Sequence, residues 1–196
     1  LSRQPEALNL LLKALNIAEH NENQLSIGKV NYKLADIYGF MGDTQKEYKS
    51  LMTAKAIFKD SQNLLDLANI HSSLIGYHFD MGDLDSAVVY AQKCLEFFEP
   101  NGFKDEVGFT YGMLGNVEFK KENYPKAIRY FQKALENFGD QNSQDYAGYL
   151  FNIGFAYNKI GNSKAALDYI ERSLTIRKRL NLAADLMESY QGLAET

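Results

Sequence analysis

Apolar residues recur along this chain at spacings of three and four, which is the period of an α-helix and not that of a strand. Tyr32, Leu34, Ala35 and Tyr38 follow this spacing in one segment. Short polar stretches separate the segments, and several contain Gly with Asp or Asn, residues that end one helix and cap the next. The pattern predicts no strand and helices at 4–20, 24–41, 44–60, 64–81, 84–99, 105–121, 124–138, 144–160, 163–180 and 183–196.

The residues also repeat, with a period of 40. Ala127 and Ala134 have counterparts 40 residues earlier in Ala87 and Cys94. We call such a set of positions, related by the repeat, a column. Several columns keep one phase, with one residue lost in the loop near 139–145. We therefore predict a single array over 1–196, with units at 24–63, 64–103, 104–142 and 143–182 and partial units at 1–23 and 183–196.

Each predicted unit consists of a first helix and a second helix joined by a tight turn. Two such helices approach closely only where side chains are small, as at Gly115 and Gly154 on first helices and at Ala127 on a second helix. One pair cannot bury its apolar faces alone, so neighbouring pairs must stack. The predicted fold class is all-α, an α-solenoid of stacked antiparallel helix pairs whose concave side is lined by the first helices.

At these columns the chain resembles the tetratricopeptide repeat (TPR) family, whose pattern is W-x₂-L-G-x₂-Y followed by Ala, Phe, Ala and Pro. The unit at 143–182 has Leu150, Ile153, Gly154 and Tyr157 in the first part of that pattern. The preceding unit departs from it at Glu118, where the family has an aromatic residue. The resemblance covers the whole chain and implies a TPR superhelix that serves as an interaction scaffold.

The period of this chain is longer than the family norm of about 34 residues. About six extra helical residues add roughly 9 Å to a unit at 1.5 Å per residue. Arrays with this long unit, of about 40 residues, resemble those of bacterial signalling regulators and of kinesin light chain. The resemblance therefore implies a role in signalling or docking.

Composition narrows the classes of partner. The chain has 21 Lys and Arg against 25 Asp and Glu, and its formal net charge of −4 gives no attraction to nucleic acid or an anionic membrane. No apolar run approaches the roughly 20 residues that span a bilayer. The single cysteine, Cys94, suits a reducing compartment, so we expect a cytoplasmic protein. Both ends of the chain fall inside helical patterns, from which we expect a piece of a longer protein.

The sequence contains no recognisable catalytic motif. It has no phosphate-binding glycine loop, no zinc-protease motif and no nucleophile elbow. A metal site built from His71, His78 and Cys94 would need a fourth ligand that the sequence does not identify. We interpret the two histidines as substitutes for aromatic residues in their columns and Cys94 as a small packing residue. We expect no enzyme activity, no metal and no cofactor.

The TPR resemblance also implies which side chains face the concave groove. Asn side chains there offer both a donor and an acceptor to the backbone of an extended peptide. Phe and Met at groove positions are candidates for an apolar anchor pocket, the alternative being that they pack against the neighbouring unit. The groove-facing columns contain Tyr32, Lys33, Asp36, Asn69, Phe109, Met113, Asn116, Lys120, Phe151, Asn152, Phe155 and Lys159, with Glu188 and Gln191 on the last predicted helix.

We interpret the chain as a non-enzymatic scaffold that binds a peptide or protein segment in this groove, as the sensing or docking part of a larger signalling or regulatory protein. The carboxylate clamp of chaperone-binding repeats is not expected, because Ser73 and Met113 stand at two of its positions. The alternative is a structural spacer or oligomerisation segment without a groove ligand. Uncovered apolar faces on the end helices would also allow a homo-oligomer.

Overall fold

The structure, a computed structural model, describes residues 4–182 and 185–187, and almost all of them lie in α-helices or the turns between them. The chain divides into two compact units, Leu1–Phe97 and Phe98–Thr196. The helices of the first unit are α1 (Gln4–His20), α2 (Gln24–Phe40), α3 (Thr44–Asp60), α4 (Leu64–Asp80) and α5 (Leu84–Phe98), the last of which extends one residue past the boundary. Those of the second unit are α6 (Lys104–Lys120), α7 (Tyr124–Asn137), α8 (Gln144–Lys159) and α9 (Ser163–Arg179).

Each of these helices begins and ends within one residue of its predicted bounds, so the prediction of an all-α chain is confirmed. Of the predicted helix at 183–196, only residues 185–187 are described, and they are helical. Glu188 and Gln191 lie outside the described residues. The division of the chain into four full units and two partial ones stays a prediction.

One turn geometry recurs between helices. The Asp43 N–H donates to the Tyr38 carbonyl at 2.9 Å, and the Gly42 N–H donates to the Gly39 carbonyl at 3.0 Å. This pair of bonds is the Schellman motif, which satisfies the last carbonyls of a helix and needs a positive φ at its central residue. Gly42 supplies a φ of 75°. Asp43 then caps α3 by accepting from the Lys46 N–H at 3.2 Å, so the Gly-Asp pair ends one helix and caps the next, as predicted.

The same turn forms at several positions without glycine. Glu22, Gln62, Glu122 and Asn181 have φ between 52° and 59°. A Cβ atom in this left-handed region costs on the order of 1 kcal/mol. The bond across each turn persists nevertheless, for example from the Asn123 N–H to the Glu118 carbonyl at 2.9 Å. At Glu22, Gln62 and Glu122 helix packing on both sides therefore holds a turn that the residue itself does not favour, whereas Asn181 adopts this conformation readily.

Each of the two compact units buries a core between its own helix pairs. In the first unit Ala35 of α2, Phe58 of α3 and Leu74 of α4 share one cluster and are at most 2% exposed. In the second unit Phe131 of α7 packs with Ile153 of α8, and both are fully buried. Each cluster joins a helix pair to the first helix of the next pair, which is the stacking that the repeat predicts.

Glycine on the first helix permits close approach within a pair. A Cβ atom on Gly115 would lie 2.5 Å from the Phe131 ring. A Cβ atom on Gly154 would lie 2.6 Å from Ile170 Cγ1 and 3.0 Å from the Ala166 carbonyl oxygen. Interiors are close-packed, so a larger residue at either position would push the two helices apart.

An ion pair occupies the position where the unit at 104–142 departs from the family pattern. The Glu118 side chain is buried and accepts from Lys126 Nζ at 2.7 Å and from Asn123 Nδ2 at 3.1 Å. The bond to Glu118 raises the pKa of Lys126. In the same columns of the first unit, Lys46 Nζ lies 5.3 Å from the centre of the Tyr38 ring. The lysine on the second helix thus contacts the residue in this column whether that residue is a carboxylate or an aromatic ring.

The repeat unit at 104–142 is one residue shorter than the two units before it, and the residue is missing after α7. Phe138 leaves the helix with an extended ψ of 123°, and its ring lies against Gly108, where a Cβ atom would come within 2.8 Å of it. The Gly139 N–H donates to Asp105 Oδ1 on α6 at 3.0 Å. These two contacts replace the Schellman turn and hold the shortened loop on α6.

We expect Gly154→Ala to destabilise the protein by roughly 1–3 kcal/mol, because the added methyl overlaps Ile170 and a backbone carbonyl. Gly148 lies in the same helix, and a Cβ atom there meets nothing within 4 Å. Gly148→Ala should therefore raise stability by roughly 0.5–1 kcal/mol through helix propensity alone. Urea unfolding of both variants checks this, and equal effects would contradict the close approach at Gly154.

We expect Glu118→Ala to destabilise the protein by about 2 kcal/mol, because two hydrogen bonds to a buried carboxylate are lost. A double-mutant cycle with Lys126→Met should give a coupling of about 1 kcal/mol in urea unfolding. Strict additivity of the two substitutions would show that the pair contributes nothing.

Candidate functional site

An asparagine pair joins the two first helices of the second unit. Asn152 of α8 donates from Nδ2 to Asn116 Oδ1 of α6 at 3.2 Å. Asn116 Nδ2 lies 3.8 Å from Met113 Sδ, which is a weak acceptor. Both amides are half-buried. Among the described residues no donor bonds Asn152 Oδ1, so the pair keeps donor and acceptor capacity at the surface.

The predicted residues of α6 form one stripe along that helix. Phe109, Met113, Asn116 and Lys120 follow each other at spacings of four, three and four, which places them on one face. Phe109 is 37% exposed and Lys120 is exposed, whereas Met113 is half-buried. The stripe offers solvent an aromatic ring, a thioether, an amide and a cation, and it carries no carboxylate.

Aromatic rings lie beside the asparagine pair on α8. The Phe155 ring is half-buried, 5.9 Å from the Phe119 ring and 6.0 Å from the Phe151 ring between centroids. Lys159 Nζ lies 5.0 Å from the Phe155 centroid. Phe151 is only 6% exposed, and the Arg177 guanidinium lies 4.7 Å from its centroid. Phe151 therefore supports this face from the interior, while Phe155 reaches the surface. We call the surface formed by Phe109, Met113, Asn116, Lys120, Asn152, Phe155 and Lys159 the α6–α8 face.

The predicted residues of the first unit make a different arrangement. Lys33 and Asp36 form an exposed ion pair of 3.3 Å within α2, and Lys33 Nζ lies 5.2 Å from the Tyr32 ring centroid. Tyr32 Oη accepts a long hydrogen bond of 3.4 Å from Ser73 Oγ of α4. Asn69, also on α4, is half-buried. This part of the predicted groove is more hydrophilic than the α6–α8 face, and its polar side chains already bond one another. Exposed ion pairs of this kind contribute little to stability.

The histidines and the cysteine pack in the first unit. His71 and His78 both contact the Tyr90 ring, at 5.5 Å and 5.3 Å between centroids. Burial, with Lys93 and Lys55 nearby, lowers the pKa of His71 to about 4. Cys94 is fully buried, and burial raises the pKa of its thiol to about 12, so it is protonated and unreactive at neutral pH.

A cleft in the second unit lies apart from the α6–α8 face. It has a volume of about 330 Å³ and includes Phe103, Tyr111 and Lys133 in its lining. Tyr111 Oη donates to Glu99 Oε1 at 2.7 Å across it, and burial together with this bond raises the pKa of Tyr111 to about 12. No predicted groove residue lines this cleft. Within residues 4–182 and 185–187 no cluster of His, Cys, Asp and Glu is suited to a metal ion, and no helix is long and apolar enough to cross a membrane.

Arg177 is a supporting residue that the sequence analysis did not select. It is 4% exposed, contacts Phe151 and donates from Nη1 to the Asp185 carbonyl at 2.8 Å. Its column holds Phe58 and Phe98 in earlier units. A charged residue in an otherwise apolar column was the available signal, since a buried charge needs a partner.

Comparisons with known proteins agree with this architecture. The family model for the tetratricopeptide repeat matches residues 66–140 and 110–179. Among solved structures, BtubC (BKLC) from P. vanneervenii is 24% identical, with a TM-score of 0.79 over 97% of this chain and 80% of that one. The apo form of RapI is 18% identical, with a TM-score of 0.83 over 92% of this chain and 66% of that one. A comparison with curated protein sequences found no significant match.

A third structure is that of the Rap conjugation gene regulator of the plasmid pLS20 in complex with the Phr* peptide. It is 17% identical, with a TM-score of 0.71 over 92% of this chain. The chain spans 57% of that protein's length, so it resembles only part of it. These likenesses show the fold, and the predicted all-α solenoid is confirmed. Because the family model matches more than half of the chain, the chain belongs to the tetratricopeptide repeat family.

Proposed function

We propose that the α6–α8 face binds an extended peptide or a segment of a protein partner. In this proposal the chain is the sensing or docking part of a signalling or regulatory protein and performs no catalysis of its own. It acts in the cytoplasm. The partner is a polypeptide and not nucleic acid or a membrane, since the net charge of −4 attracts neither.

The asparagine pair is the observation that carries the proposal. An extended backbone presents a donor and an acceptor at each residue, and side-chain amides can match both. The bond between Asn152 and Asn116 holds the two amides in place before a ligand arrives. Binding to such an arrangement loses less side-chain entropy than binding to mobile amides.

The residues around the asparagine pair suggest which ligand side chains would accompany the contact with the ligand backbone. Phe109 and Met113 offer an apolar surface on one side, and Lys159 offers positive charge at the C-terminal end of α8. A ligand with an apolar side chain followed by an acidic one would use both. The first unit, with its Lys33–Asp36 ion pair, would contribute less to binding.

The structural comparisons are compatible with this role. One Rap protein was solved in complex with the Phr* peptide and another with the Competence and Sporulation Factor. Both are tetratricopeptide-type structures similar to this chain, at 17% and 18% identity. At these identities the likeness supports the choice of ligand class and does not identify the ligand.

Peptides selected on the protein from a random display library test the proposal. Asn152→Ala should lower the affinity of a selected peptide about fivefold to tenfold, the value of one hydrogen bond. Far-UV circular dichroism should stay unchanged, and loss of the bond to Asn116 should lower stability by no more than about 1 kcal/mol. Asn16→Ala, on exposed α1, is the matched control and should have no effect. A library without enriched peptides, or equal affinity in both variants, would favour a structural spacer and overturn the proposal.

Phe109 and Phe151 should separate binding from folding. Phe109→Ala removes an exposed ring, so it should weaken peptide binding and change stability by less than about 1 kcal/mol. Phe151→Ala removes a buried ring and should destabilise the protein by roughly 3 kcal/mol or more. Urea unfolding and peptide titration of both variants check this. Equal destabilisation would show that Phe109 belongs to the core.

A further inference from the structure

A cleft of about 350 Å³ opens between α1, α2 and α3 of the first compact unit. Leu12 and Leu15 of α1 and Ile27 of α2 belong to its apolar lining. Asn31 of α2 and Ser50 of α3 bring polar groups into it. Because an apolar cavity of about 150 Å³ is enough to hold benzene, the cleft has room for a small aromatic ligand.

The repeat shows which side chain fills this place in the other helix pairs. Ser50 shares its column with Tyr90 on α5, Tyr130 on α7 and Tyr169 on α9. Each of these tyrosines is half-buried, and its ring stacks on a ring of the first helix in its own pair. In the pair of α2 and α3 the serine leaves the position of that ring open.

The second compact unit has the same three-helix arrangement, with the ring in place. Tyr169 of α9 and Leu135 of α7 both pack against the cluster that contains Leu150 of α8. The counterparts of Leu135 and Leu150 are Leu15 on α1 and Asn31 on α2, and both line the cleft. The cleft therefore corresponds to the place that the Tyr169 ring occupies.

Tyr38 offers a ligand ring a partner for stacking. Tyr157, in the same column, stacks on Tyr169 with 5.6 Å between ring centroids and 25° between planes. Tyr38 lines the cleft, and among the described residues its ring lies near the Lys46 cation and against no other ring. An aromatic ligand beside Ser50 would restore the stacked pair.

Two buried polar side chains in the cleft retain hydrogen-bonding capacity. Asn31 is 8% exposed and donates from Nδ2 to the Ile27 carbonyl at 2.9 Å, while no described residue donates to its Oδ1. Ser50 is 6% exposed, and no described residue bonds its hydroxyl. Buried polar groups normally have partners. A phenol hydroxyl donates and accepts, so it could bond both the Asn31 oxygen and the Ser50 hydroxyl.

We propose that the cleft between α1, α2 and α3 binds a phenol, whose ring stacks on Tyr38 and whose hydroxyl bonds Asn31 and Ser50. The ligand takes the place that a tyrosine side chain fills in the other pairs. None of the predicted groove residues lines this cleft. The site is therefore distinct from the α6–α8 face, which belongs to the second compact unit.

p-Cresol, which has the ring and hydroxyl of a tyrosine side chain, is the probe. In a nuclear magnetic resonance titration, amide signals around Asn31 and Ser50 should shift with a dissociation constant of about 0.1–1 mM. Toluene lacks the hydroxyl and should bind about fivefold more weakly, the value of one hydrogen bond. N-acetyltyrosinamide represents a tyrosine in a polypeptide. Binding as tight as that of p-cresol would assign the cleft to such a side chain, and weaker binding would assign it to a free phenol.

Ser50→Tyr supplies the ring that the other pairs carry, so it should abolish p-cresol binding and leave far-UV circular dichroism unchanged. Ala56→Tyr adds the same ring on the exposed side of α3 and is the matched control, which should bind p-cresol normally. Asn31→Leu introduces the residue type that its column has at Leu150. It should lower the affinity for p-cresol about fivefold without weakening toluene binding, because only p-cresol bonds the amide.

Three results would each overturn the proposal. One is the absence of shifts around the cleft at p-cresol concentrations up to about 10 mM. The others are unchanged p-cresol binding in a folded Ser50→Tyr protein and equal affinities for p-cresol and toluene. If Ser50→Tyr does not fold, Asn31→Leu decides, and an unchanged ratio of the p-cresol and toluene affinities would then contradict the site.

Discussion

The close approach of two helices at a residue without a side chain is the constraint on which this fold depends. At Gly115 and Gly154 the first helix of a pair comes so near the second that an added methyl would overlap Phe131 or Ile170. This approach lets Phe131 lie fully buried within its pair and contact the next first helix. Stacking then follows, because a pair that has buried one face still has another to cover.

The candidate site is a consequence of that stacking. First helices of successive pairs lie side by side, so Asn116 of α6 and Asn152 of α8, 36 residues apart in the chain, meet at 3.2 Å. Behind them, Phe151 and Arg177 form a buried support, and Phe155 bridges this support and the surface. In the proposal, an extended ligand lies along the exposed side chains of α6 and α8, while Phe151 and Arg177 lie beneath them.

Departures from the repeat are informative where a partner compensates for them. Glu118 replaces an aromatic residue and is paired with Lys126, and Arg177 replaces a phenylalanine and lies against Phe151. The missing residue after α7 is compensated by Phe138 on Gly108. All three departures affect packing inside the second unit.

The helices, their bounds and their pairing were predictable from the sequence, because a period of 3.6 residues within helices and of 40 between units leaves a signal in every column. The groove-facing stripes of α6 and α8 were implied by the resemblance to the tetratricopeptide repeat family, and they stay a prediction. The sequence could not separate Phe109, which is 37% exposed, from Phe151, which is 6% exposed, since both are phenylalanines in neighbouring groove columns. Only the tertiary structure decided which of the two rings is buried. Burial depends on which residue of another helix lies opposite, and for Phe151 that residue is Arg177, 26 positions further along the chain.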